Sequence, residues 1–135
     1  MQELILPPLL SGVCADDPFE TAVEQVRLRK SGAGDLFWSV DQEIASLAII
    51  LEPDVEVARA LEMVPLAMVA LSDCLAVLLP PQVAVQFRQT DRVVVNGGVF
   101  GGVNAAMSKT DKESEAPDWL VLSVKVGLLR NESEA

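Results

Sequence analysis

Gln86-Phe87-Arg88-Gln89-Thr90-Asp91-Arg92-Val93-Val94-Val95-Asn96-Gly97-Gly98-Val99-Phe100-Gly101-Gly102-Val103 reads as a strand, a turn and a returning strand. Asn96-Gly97 is the strongest short hairpin signal, because a type I′ turn needs positive φ at both central residues. That turn accounts for both residues. Gly101-Gly102 lies inside the returning strand, where glycine weakens a sheet. Two explanations stand level on spacing alone: a bulge, or close approach of a ligand to the backbone.

Working outward, the stretch sits in a chain that alternates strands and helices. Asp16-Asp17-Pro18 predicts a helix start, with a capping aspartate and proline at N1. Glu20 stands at N3. Phe19, Ala22, Val23 and Val26 form one apolar face, Arg27, Arg29 and Lys30 suit the helix end, and Gly32 and Gly34 should stop it. Strands are expected over Asp35–Val40 and Ala45–Leu51, with Asp41-Gln42-Glu43 between them. The run Leu47-Ala48-Ile49-Ile50-Leu51 reads as a central strand covered on both faces. A second helical region should start at Asp54. Leu61, Val64, Met68, Leu71, Leu75 and Leu78 make its stripe, and Pro65 should kink it or start a second segment. Leu66, Val69 and Val77 lie off the stripe, which predicts a helix buried most of the way round. Further strands are expected over Val83–Arg88, Arg92–Asn96, Gly98–Ala106 and Trp119–Leu128. Ser108–Asp118 reads as a solvated charged loop. Residues 1–16 read as an extended arm, with Leu4, Ile5, Leu9 and Leu10 across the core surface.

The fold class is therefore α/β (α+β), a mixed β-sheet packed by helices. One domain is expected over residues 1–135, with a polar tail at 130–135. Half of the 135 residues are hydrophobic and 4% are aromatic, so the core is aliphatic. Twenty acidic against ten basic residues leave a net charge of −10, which argues against nucleic acid and anionic membranes as partners. The apolar run Met63–Leu79 is interrupted by Pro65 and Asp73 and is shorter than the ~20 residues of a membrane span. No signal peptide is visible, so the cytoplasm is the expected compartment.

Histidine and tyrosine are absent. Ser-His-Asp and Cys-His mechanisms are thereby excluded within the chain, and the commonest zinc ligand is missing. Cys14 and Cys74 match no metal or redox spacing and read as free thiols. No metal site is expected.

The order of elements, the Asn-Gly hairpin and the double glycine resemble the catalytic domain of biotin and lipoate protein ligases, and within it a divergent alphaproteobacterial group. The match is most specific over Pro80-Pro81-Gln82-Val83-Ala84-Val85-Gln86-Phe87-Arg88, on through Val95-Asn96-Gly97 to Gly101-Gly102. Asp118-Trp119-Leu120-Val121-Leu122 resembles the strand leading to the family's Gly-Ile-Gly segment. The resemblance implies a class II synthetase-like fold, truncated relative to the usual catalytic domain.

It also implies a site. The family's hairpin begins Lys-Trp-Pro-Asn-Asp, and its lysine contacts the biotin carbonyl and the adenylate phosphate. Arg88 takes that lysine's position as the implied catalytic residue, Asp91 falls on the asparagine and Arg92 replaces the aspartate. Asp91, Gly101 and Gly102 are the implied ligand-binding residues. For Arg88 a salt bridge to Asp91 or another acid stands beside the ligand role. The family's arginine- and glycine-rich loop has no counterpart: Ser31-Gly32-Ala33-Gly34 and Asp41-Gln42-Glu43 carry no arginine cluster. Gly-Ile-Gly is altered to Ser123-Val124-Lys125-Val126-Gly127.

Two activities follow from the resemblance. One is acyl-adenylate formation from biotin, lipoate or a related acyl acid with ATP and Mg²⁺, then transfer to a lysine of a biotinyl or lipoyl carrier protein. The other is a non-catalytic ligase-like module that binds a small molecule or a protein, with a homodimer as one form of the latter.

Overall fold

A computed structural model describes residues 6–41, 43–78, 85–88, 92–95 and 98–127. In chain order the elements are β1 (Ser11–Cys14), α1 (Pro18–Arg27), β2 (Asp35–Val40), β3 (Ile44–Leu51), α2 (Val57–Ala60), α3 (Met63–Leu78), β4 (Val85–Arg88), β5 (Arg92–Val95), β6 (Gly98–Met107) and β7 (Leu120–Gly127). Among the described residues the strands form one seven-stranded sheet in the order β1-β2-β3-β7-β6-β5-β4. β1 pairs parallel with β2, and the other pairs are antiparallel. The mixed sheet expected from the sequence is the observed one.

The start of α1 follows from its capping chemistry. Asp17 is extended, and its carboxylate accepts the Glu20 amide at 3.3 Å. The helix ends earlier than the glycines suggested. Arg29 takes the left-handed conformation at φ 57. The Lys30 amide donates to Gln25 and the Arg29 amide to Val26, the two bonds of a Schellman motif. Gly34 instead serves the turn into β2. Its φ is 90, and a Cβ there would lie 2.5 Å from the Leu9 carbonyl oxygen.

α1 packs over β2, β3 and β7. Ala22 and Val26 meet Phe37, Ala48, Ile50 and Val121 there. On the opposite face α3 packs against β4, β5, β6 and β7, where Met68 and Leu75 meet Val103 and Leu122. β3 is fully buried on one face only: Ala48 and Ile50 lie under α1, while Leu47, Ile49 and Leu51 on the other face are half-buried, with Ile49 packing toward α3.

Several expectations are corrected. The second helical region does not start at Asp54. α2 starts at Val57 after Glu56, whose side chain makes no capping bond, and the chain turns at Leu61-Glu62 before α3. Pro65 stands in the first turn of α3, where helix amides have no intrahelical acceptor, so it opens the second segment rather than kinking one. α3 is not buried most of the way round: Leu66, Val69 and Val77 are 57%, 47% and 84% exposed, and Leu61 is exposed too. A helix laid on one sheet face finds cover on one side only. Leu9 does not lie across the core. It is 95% exposed with φ 76, because the chain turns there before pairing as β1. The Ser108–Asp118 loop is solvated as expected, and the Ser108 hydroxyl accepts the Asp118 and Trp119 amides at 2.7 and 3.3 Å across its base. Leu4, Ile5, the Asn96-Gly97 turn and the tail at 130–135 lie outside the described residues.

Candidate functional site

Strand register places the residues of interest. Directly opposed residues of an antiparallel pair share one face of the sheet. Ser39 opposes Ser46, Ser46 opposes Lys125, and Lys125 opposes Gly102. Gly102 opposes Arg92, and Arg92 opposes Arg88. Six residues from six strands thus form one row across the sheet, on the face that carries α1. The helix covers β2, β3 and β7, and the row runs past it onto β6, β5 and β4. Asn104, one row along β6 on the same face, is exposed.

Of the residues singled out in the sequence, Arg88 and Gly102 therefore belong to one face. Gly101 belongs to the other, opposite Val93 and Val126. The register slips between Val93 and Val94, and Phe100 is the extra residue of a bulge. A Cβ on Gly101 would collide with the Lys125 carbonyl oxygen and lie 3.0 Å from Val126 Cγ1. The bulge and the close strand approach explain this glycine without a ligand. Asp91 lies outside the described residues.

The loops at Gly32–Gly34 and around Asp41 use their polar groups internally. The Gly32 amide donates to the Asp35 carboxylate at 2.8 Å, and the Gly34 amide donates to the Ile50 carbonyl at 3.0 Å. The Asp41 carboxylate accepts the Glu43 and Ile44 amides, each at 2.7 Å. Those bonds, Ile44 first and then Glu43, hold its pKa below the ordinary 3.8. Anion binding needs free amides or cations aimed at the anion, and these amides are engaged.

At its β2 end the row borders a depression of about 210 Å³ lined in part by Asp16, Asp17, Asp41, Ser39, Ser46 and Lys125. Small-molecule sites are commonly ~300–1,000 Å³, so this depression is a margin of the face, not a ligand chamber. Among the described residues no three His, Cys, Asp or Glu side chains gather as a metal site, and no helix is long and apolar enough to cross a membrane. Cys14 and Cys74 are free and exposed.

The sequence marks Arg92 only as a replacement for an aspartate and Lys125 only as part of the altered Ser123–Gly127 segment. What that reading missed is their shared row. No local spacing links them; the pairings of β7 with β6 and of β6 with β5 do.

The family model for the biotin/lipoate A/B protein ligase family matches residues 6–135. A biotin protein ligase-like protein of unknown function from Silicibacter sp. TM1040 superposes with a TM-score of 0.85 at 30% identity, over 98% of this chain and 58% of its own. The biotin acetyl coenzyme A carboxylase synthetase of Helicobacter pylori, with bound biotinylated ATP, superposes with a TM-score of 0.61 at 11% identity, over 88% of this chain and 60% of its own. At that identity the likeness is one of fold. The chain thus spans about three-fifths of each of these two structures. No curated protein matches it.

Proposed function

We propose, from the premise that this chain belongs to the biotin/lipoate A/B protein ligase family, that it binds a small carboxylic acid of the biotin or lipoate class on the open sheet face over β4, β5 and β6. The observation that carries this reading is the shared face of Arg88 and Gly102. The resemblance of the hairpin to the family's matches Arg88 to the lysine, and a guanidinium pairs with a carboxylate through two parallel hydrogen bonds. Gly102 keeps the neighbouring backbone open to the acid.

The second reading is the full ligase reaction, which family membership favours. ATP and Mg²⁺ would supply phosphate activation of the acid, before transfer to a carrier-protein lysine. The loops at Gly32–Gly34 and Asp41–Glu43 do not fit that requirement, because the amides named above are already paired. Arginine for lysine also changes a compact point charge into a planar fork. Binding therefore ranks ahead of adenylation. Free Cys14 and Cys74 suit a reducing compartment, and we assign the protein to the cytoplasm.

Titration calorimetry with biotin, lipoate and octanoate, each with and without ATP·Mg²⁺, tests this. Binding of at least one acid without nucleotide is expected, with no acyl-adenylate in the mass spectrum. Arg88→Ala should weaken it about 10- to 100-fold, the ~1.5–3 kcal/mol of a hydrogen bond to a charged group. Heat only with ATP, accompanied by acyl-adenylate, would establish the ligase reading instead. Silence with every acid would remove both.

A further inference from the structure

We infer that the apolar strip of sheet beside α3, over β1, β2 and β3, is a docking surface for an amphipathic helix of a partner polypeptide, uncharged on the side it presents.

The first observation is how the two helices divide the sheet. α1 covers β2, β3 and β7 on one face. On the other face α3 packs on β4 to β7 and reaches only the rim of β3, at Ile49. Register places Cys14, Trp38, Val40, Ala45, Leu47 and Val126 on that second face, beyond α3. Cys14 opposes Trp38, Trp38 opposes Leu47, Val40 opposes Ala45, and Ala45 opposes Val126. Val40 is 57% exposed and Cys14 is exposed, while the other four are half-buried.

The second observation is that β3 is written for cover on both sides. Ile44–Leu51 contains one polar residue, Ser46, and so apolar a strand is typical of one buried on both faces. Under α1 the cover is complete, with Ala48 and Ile50 at 0% exposure. On the α3 side Ala45, Leu47, Ile49 and Leu51 are all left half-buried. The strip from Ala45 to Leu51 is about 20 Å long, the length of a helix of about 13 residues.

The third observation concerns charge and selects the occupant. The chain is 22% charged, yet none of the residues named on the strip carries a charge. A neutral apolar face is what it accepts, because an unpaired carboxylate or ammonium pressed onto it would be costly. A second copy does not meet that requirement. α3 stands up from the same face, so a facing copy would bring its own α3 to the strip, with Glu62 and Asp73 exposed on or just before that helix. A separate source of helix is at hand in a relative of the same fold. The Silicibacter protein matches 98% of this chain with 58% of its own, so about two-fifths of it has no counterpart here.

The probe is a synthetic peptide of about 14 residues built from Leu, Ala, Gln and Lys, with its leucines at helical spacing on one side. An isomer of the same composition with the leucines scrambled has the same charge and controls for attraction to an acidic protein. The striped peptide should shift tryptophan emission to the blue and bind at least about tenfold tighter than the isomer, and the shift should vanish in Trp38→Phe. Val40→Gln and Leu47→Gln should each weaken it about tenfold, whereas Val77→Ser on the outer side of α3 should leave it unchanged. Val40 is the safer of the two strip variants because its side chain is already more than half exposed. Equal binding of the two peptides overturns the proposal. So does a loss confined to Val77→Ser, which would put the contact on α3. Sedimentation velocity of the protein alone should show a monomer. A dimer that Val40→Gln disperses would assign the strip to a second copy and likewise overturn the proposal.

Discussion

α1 and α3 lie on opposite faces of one sheet, and they differ in how plainly each marks its buried side. In α1, Ala22 and Val26 are buried while Glu20, Glu24 and Arg27 are exposed. In α3, Met68 and Leu75 are buried, but Leu66, Val69 and Val77 are exposed although apolar. Of the stripe its period predicts, Val64, Met68, Leu71 and Leu75 face the sheet, whereas Leu61 precedes α3 and is exposed. The period does not predict the extent of burial. A polar outer face tells the reader which side meets water, and α3 lacks one. Contrast between apolar and polar positions is what predicts burial; apolar content alone does not.

The largest expected effect tests that difference directly. Ile50 is fully buried beneath α1. Ile50→Ala should cost about 2–5 kcal/mol, the sum of lost burial and an unfilled cavity. Val77 is 84% exposed, and Val77→Ser should stay within about 0.5 kcal/mol. Urea denaturation of both variants checks this. Comparable losses would show that the outer side of α3 is covered as fully as the inner side of α1, and the comparison would fail.

A smaller effect separates two glycines, one beside α1 and one on the α3 face. An added Cβ at Gly101 meets the Lys125 backbone and the Val126 side chain. Strand backbone cannot yield as a flexible side chain does, so Gly101→Ala should cost about 1–3 kcal/mol. At Gly32 the nearest contact is Glu52 Oε1 at 3.6 Å. Gly32→Ala should be neutral, or stabilising by up to about 1 kcal/mol through the unfolded chain. Melting curves that rank the two the other way would remove the bulge explanation of Gly101.

The same contrast governs what could be read without a structure. The α1 cap, β2, β3 and their turn were legible because each is encoded within a few residues. The end of α1 was not, since a left-handed Arg29 carries no compositional mark. β1 was not, because Ser11-Gly12-Val13-Cys14 is a strand only by pairing with β2. Of the candidate site, Arg88 and Gly102 were named in advance, whereas the link from Lys125 to Arg92 required the register of β7 against β6 and of β6 against β5. Lys125 lies 23 positions from Gly102, and Gly102 lies ten from Arg92 with a bulge at Phe100 inside that shorter step. No local spacing rule predicts which positions then face each other.

The smallest expected effect concerns the most local signal, Asp41 in the β2–β3 turn. Its carboxylate accepts the Ile44 and Glu43 amides, and this lowers its pKa from the ordinary 3.8. A depressed folded pKa means that the charged form favours the native state. The contribution is complete well above pH 3.8 and is lost as pH falls through the lowered folded value. Asp41 is exposed, so water screens much of the effect. Asp41→Ala should therefore be modestly less stable than the parent near pH 6, with a gap that narrows below pH 3.8 and closes at more acidic pH. Asp41→Asn retains an oxygen acceptor without a titrating charge, and should keep part of the turn's stability with no acid-dependent component. Denaturation midpoints for the three proteins between pH 2 and 6 decide the matter. A gap between parent and Asp41→Ala that does not change with pH would mean that the turn depends on shape and not on its carboxylate charge. The plainest local signal on the α1 side of the molecule would then act by a different mechanism from the one its sequence suggests.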